Sequence, residues 1–117
     1  MTYTANFGTG TLGDVTNPSG QINSYANVIT ISADGKTLTI GTTSNGIYEQ
    51  FTVGTEIMFH VTGSTSQTTY IGNYCFAKIS SVSGSNITID KDINAIFPVS
   101  SISSYICQIV TVAQFRN

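Results

Sequence analysis

Charge is what this chain has least of. Only 9% of its 117 residues are charged and the net charge is −2, whereas an average soluble domain carries roughly 25% charged residues. The basic residues are Lys36, Lys78, Lys91 and Arg116. That set leaves no electrostatic footprint for a phosphate backbone, so nucleic acid is excluded as a partner. Long apolar runs are missing too: nothing approaches the ~20 residues needed to span a bilayer, and no membrane insertion is expected. The opening MTYTANFGTG lacks the basic and apolar regions of a secretory signal, so no signal peptide is expected. Tryptophan is absent, and cysteine is limited to Cys75 and Cys107. A single pair allows one bridge and no disulfide framework. Both lie in apolar strand-like runs, where a thiol behaves as a small hydrophobe, so buried thiols are expected rather than a disulfide. The pair supplies too few ligands for structural zinc.

Scarce charge does not mean disorder, which requires low hydrophobicity as well. Hydrophobic residues make up 40% of the chain, and a single domain of this length buries roughly two-thirds of its unfolded surface. Its surface is built from Ser, Thr, Asn, Gln and Gly. Such a near-neutral surface has little self-repulsion to keep copies apart.

Residues 1–27 read as an N-terminal arm or entry segment, and residues 28–117 as the folded domain. The arm is punctuated by Gly8, Gly10, Gly13, Pro18 and Gly20, which disfavour helix. Its apolar anchors, including Tyr3, Phe7 and Leu12, suit an arm that packs on a neighbour or wraps its own domain; a leader without order is the alternative. From Val28 the period shortens to two. Val28–Ser32 and Thr37–Ile40 flank Ala33-Asp34-Gly35-Lys36, a hairpin signal. In the strand that follows, Ile57, Phe59 and Val61 alternate with Glu56, Met58 and His60. Gly63–Thr69 reads as a polar loop. Tyr70–Val82 reads as a longer strand with Cys75, Ala77 and Ile79 on one face. Ser83-Gly84-Ser85 turns into the alternating strand Asn86–Asp90. Tyr105–Val112 is almost continuously apolar, as a central strand is. No window has a helical period. The predicted fold is all-β: a small antiparallel sandwich or barrel with a Gly/Thr-rich N-terminal arm.

The order FTVGTEIMF, YIGNYCFAKISSVSGSNITID and YICQIVTVAQF, preceded by FGTGTLGDVTNPSG and INSYANVITI, resembles a small β module of phage tail or fibre proteins and bacterial surface proteins. The resemblance spans most of Phe7–Val112 and rests on turn and core positions. Thr55 and Cys75 stand where those relatives carry acidic residues. What the resemblance implies is a virion or cell-surface setting; it brings no active-site residues.

Little in the chain points to catalysis. Gly8-Thr9-Gly10-Thr11-Leu12-Gly13 matches a dinucleotide-loop string, but the preceding strand and following helix that such a loop needs are missing. His60 shares a strand face with Glu56, yet neither a nucleophile nor a third metal ligand is nearby. Asp90 and Asp92, flanking Lys91, read as a turn rather than the start of a calcium site. A non-enzymatic protein without cofactor is therefore expected.

Two functional readings remain. In the first, the protein is a structural or assembly subunit of a virion, fibre or cell-surface appendage, forming a homo-oligomer or joining other virion or fibre subunits through a charge-poor β surface. In that reading Tyr3, Phe7 and Leu12 form the assembly arm. In the second, it recognises a glycan or host surface. Tyrosine combines an apolar body with a polar tip, and Tyr48, Gln67 and Tyr70 form the expected ligand or partner surface. Tyr74 and Tyr105, inside strands, are expected to cap the core instead.

Overall fold

The structure, a computed structural model, describes residues 23–46 and 50–112. The expected Tyr3, Phe7 and Leu12 arm and Tyr48 lie outside the described residues. Six strands form a closed antiparallel barrel: β1 (Tyr25–Ile31), β2 (Thr37–Ser44), β3 (Glu56–Ser64), β4 (Tyr74–Ser83), β5 (Asn86–Ile89) and β6 (Tyr105–Thr111). Around the barrel the order is β1-β2-β5-β4-β3-β6, with β6 pairing back to β1. The all-β expectation holds, and of its two architectures the barrel is the one formed. β1 begins at Tyr25, so Tyr25, Ala26 and Asn27 belong to the barrel rather than to the arm.

Alternation along each strand builds the core. Ile57, Phe59 and Val61 point inward from β3, Ala77 and Ile79 from β4, and Cys107 and Ile109 from β6. β6 is flanked by β1 and β3, which pair its backbone, and its alternate residues Tyr105, Cys107, Ile109 and Thr111 face the core while Ile106 is exposed. Closure pairs its backbone groups within the domain, and a closed barrel has no edge strand to offer a neighbour.

Turn chemistry sets the connections. The β1–β2 turn places Gly35 at φ +74, with its N–H donating to Ser32 O at 2.8 Å. Gly84-Ser85 joins β4 to β5, with Gly84 at φ +59, a conformation open to glycine without side-chain strain. The β3 strand runs on through Ser64, with a bulge between Val61 and Gly63, so the expected loop at Gly63–Thr69 begins only after its first two residues. At the other end of that loop the expected strand starts late: Tyr70–Asn73 is a turn, closed by Asn73 N–H to Tyr70 O at 3.0 Å with Gly72 at φ +96. Positive φ at the third position is the mark of a type II turn.

The irregular stretch between β5 and β6 contains two short 3₁₀ helices, Ile93–Ala95 and Val99–Ser104, which the sequence pattern did not indicate. A 3₁₀ turn is too short to establish a hydrophobic period. This stretch carries Ile93, Phe97 and Val99 into the barrel core. Phe97 sits at the centre of four rings, 5.2 Å from Tyr105, 5.7 Å from Tyr70 and 6.2 Å from Phe59 by ring centroids.

Candidate functional site

Two surface features stand out: one broad face and one depression that adjoins it at Tyr74. The face is the outside of β1, β6, β3 and β4, and strand register arranges it in rows. One row is Tyr25, Val110, Met58 and Phe76, joined by the pairings Tyr25↔Val110, Met58↔Val110 and Met58↔Phe76. The next is Asn27, Gln108, His60 and Tyr74, likewise paired across each strand boundary. Within it Gln108 Nε2 donates to Asn27 Oδ1 at 3.1 Å. The β1–β6 ladder ends at the Val28↔Cys107 pair; next to it on the outside, the Ile29 side chain lies over Gly41 of β2 and that of Ile106 near Gly63 of β3.

The face is rich in exposed apolar area. Tyr25 is 45% exposed, Ile29 56%, Tyr74 55%, Phe76 45% and Ile106 49%. At about 200 Å² for a full large side chain, these five present on the order of 500 Å² to solvent. That is near the top of the ~300–600 Å² seen for the largest patch on a typical monomer. The opposite side of the barrel contrasts with it. There β2 and β5 meet through Thr37 and Thr88 hydroxyls 3.2 Å apart and a Thr39 hydroxyl donating to Asn86 Oδ1 at 2.8 Å. The charges on the apolar face are confined to one end, where Glu56 faces Lys78 across the β3–β4 ladder.

The depression lies beside the start of β4. Tyr70, Asn73 and Tyr74 form one wall and Asn94, Phe97 and Pro98 the other, around a volume of about 700 Å³. Its walls are tied together. Asn73 Nδ2 donates to Ile96 O at 2.8 Å, and Asn94 Nδ2 donates to Ala33 O at 3.1 Å. Asp92 accepts from the Asn94 N–H at 2.9 Å and so caps the first 3₁₀ helix.

The expected site residues separate in space. Tyr70 is half-buried, packs edge-on against Phe97 and Tyr105, and still borders the depression. Gln67 is exposed in the loop after β3 and accepts the Tyr105 hydroxyl at 3.1 Å. Tyr105 is buried, as expected for a core-capping ring, but Tyr74 is not: it points outward and meets Phe76 edge-to-face. The cause is register. Cys75, Ala77 and Ile79 take the inner positions of β4, and period two sends Tyr74 and Phe76 outside. Alternation at Cys75 already contained that signal.

The remaining candidates have structural partners. Asp90 Oδ1 accepts the Lys78 N–H at 2.8 Å, and Asp92 is the cap just described. Among the described residues no cluster of three or more His, Cys, Asp or Glu is placed to hold a metal ion. Both thiols are free. Burial pushes the Cys107 thiol up to about 12, and burial also raises that of Cys75, opposed by the Lys91 ammonium. Among the described residues, no helix is long and apolar enough to cross a membrane.

No family model matches the chain, and no curated protein matches it. Among solved structures it is similar to the tailspike of Acinetobacter baumannii bacteriophage AP22, solved in complex with A. baumannii capsular saccharide. The identity is 14% and the TM-score 0.43, over 79% of this chain and 14% of the tailspike chain. The chain thus spans a small part of that protein, and a likeness this distant bears on neither the face nor the depression.

Proposed function

We propose that this domain is a non-enzymatic assembly module that packs against a second copy of itself through the outer face of β1, β6, β3 and β4. The observation that carries the proposal is the concentration of Tyr25, Ile29, Phe76 and Ile106 on one side of a barrel whose other side is hydroxyl-rich. A stable interface buries about 800 Å² on each partner. The exposed apolar area of this face, extended by half-buried Met58 and Val110 and by the amides of Asn27 and Gln108, is of that order. The near-neutral net charge of −2 opposes such contact only weakly. Because the barrel is closed, association proceeds through side chains, not by adding a strand.

The setting we assign is a virion, fibre or cell-surface appendage. The charge-poor composition and the motif train from Phe51 to Phe115 support it. The test is solution mass by light scattering coupled to size exclusion, on the full chain and on Phe76→Ser/Ile106→Ser. Both substitutions replace exposed side chains, so the barrel remains folded. The full chain is expected to run as a discrete oligomer and the double variant as a monomer with unchanged thermal unfolding. A monomeric full chain, or a double variant of unchanged mass, refutes the reading.

A further inference from the structure

The depression beside β4 has a different chemistry from the apolar face. Its volume of about 700 Å³ falls inside the ~300–1,000 Å³ span of small-ligand sites. Its lining contains no charged side chain and combines the amides of Asn73 and Asn94 with the rings of Tyr70 and Tyr74. An anionic ligand would find no cation there, and a purely apolar one would strand the amides and tyrosine hydroxyls without partners.

Of the three aromatic rings in its walls, Phe97 is buried and Tyr70 half-buried, which leaves Tyr74 as the one exposed ring, fixed in place among neutral hydrogen-bonding groups. Tyr74 is 55% exposed, and its orientation is held by an edge contact to Phe76 at 5.8 Å and 81°. Asn73 is anchored through its Nδ2 on Ile96 O, which leaves its Oδ1 without a partner among the described residues. The Asn73 backbone is held in turn by the Gly72 turn, whose N–H donates to Val61 O at 2.9 Å. Across the depression Asn94 is fixed by Asp92 and by Ala33 O. A site whose groups are already immobilised loses little further freedom when it binds.

We propose that this depression binds a neutral saccharide, with Tyr74 stacking on a sugar ring and the Asn73 Oδ1 accepting a sugar hydroxyl. The apolar face of a pyranose matches the exposed tyrosine ring, and its rim of hydroxyls matches uncharged acceptors. The site is separable from the assembly face: Ile29 and Ile106 do not line it, whereas Tyr74 stands at the border of both.

The test begins with the labelled full chain on an array of neutral oligosaccharides and of oligosaccharides bearing uronic or sialic acids. The best-retained neutral oligosaccharide is then titrated in solution, where avidity plays no part, against the full chain, Tyr74→Ala, Tyr74→Phe and Ile29→Ser. Neutral oligosaccharides are expected to bind in preference to acidic ones, with affinity insensitive to salt. Tyr74→Ala is expected to weaken binding roughly tenfold, the scale of losing an aromatic anchor. Tyr74→Phe and Ile29→Ser are expected to keep it. An array with no neutral binder, a preference for acidic glycans, or an affinity unchanged in Tyr74→Ala overturns the proposal. Glycan binding by a monomeric chain would leave this inference standing while refuting the assembly reading.

Discussion

Gly35→Ala tests how the depression is held in place. Gly35 is buried at φ +74, where an L side chain is strained by roughly 1–2 kcal/mol. A methyl group there also overlaps the Asp92 carboxylate and comes within 2.9 Å of the Asn94 amide nitrogen and the Ile93 backbone nitrogen. Asp92 must therefore move, and with it goes the cap on Asn94. Losing a cap of this kind costs about 1 kcal/mol. The two effects together come to about 2–3 kcal/mol. At about 4–8 °C per kcal/mol, melting should fall by on the order of 8–24 °C. Gly84→Ala is the control: its φ is +59, but no atom lies within 4 Å of the added carbon. It carries the strain alone, about 1–2 kcal/mol. The assay is urea and thermal unfolding of both variants, with amide chemical shifts of residues 92–98 as a local readout. Gly35→Ala should be the less stable variant by at least 1 kcal/mol and should shift the Asn94 and Ile96 signals. Equal losses in the two variants would falsify the claim that the Gly35 contact holds the 3₁₀ segment.

Phe97→Ala empties the centre of the ring cluster and should cost about 3–5 kcal/mol by denaturant unfolding, and a double-mutant cycle of Phe97→Leu with Tyr105→Leu should give a coupling of about 0.5–1.5 kcal/mol. Cys107, whose thiol burial pushes up to about 12, should resist alkylation in the folded chain at pH 8 and react once urea unfolds it. Because its folded value is the higher one, the stability linked to this thiol is complete below about pH 9 and falls as pH rises toward 12, which unfolding curves across that range will show. Asp34 is held below its ordinary value, first by the Ser32 hydroxyl and then by the Lys36 N–H. The turn's contribution should therefore be present at neutral pH and fade as pH falls through the lowered value, and Asp34→Asn should flatten that acid limb of the stability profile.

Much of the barrel was legible because strand signals are local. The alternation at Ile57, Phe59 and Val61, and at Ile87 and Ile89, shows which side chains face inward whatever the neighbouring strand is. The Asp34-Gly35 and Gly84-Ser85 turns announce their hairpins for the same reason: backbone conformation at a glycine is a property of a few adjacent residues. The 3₁₀ segment at 93–104 escaped notice because single turns establish no period, although Ile93 and Phe97 proved to be core residues. Tyr70 read as a surface ring from its polar surroundings in sequence, yet Phe97 and Tyr105, far along the chain, half-bury it.

The two candidate surfaces belong to the tertiary structure. Tyr25, Val110, Met58 and Phe76 are scattered through the chain and become a row only when β6 inserts between β1 and β3 and closes the barrel. The wall of the depression likewise joins a turn before β4 to a segment after β5. The sequence by itself determined an all-β chain, its inward residues and the scarcity of charge on its surface, since each follows from neighbours along the backbone. Which exposed side chains share a face was decided by strand order and register, and those depend on contacts between residues distant in sequence.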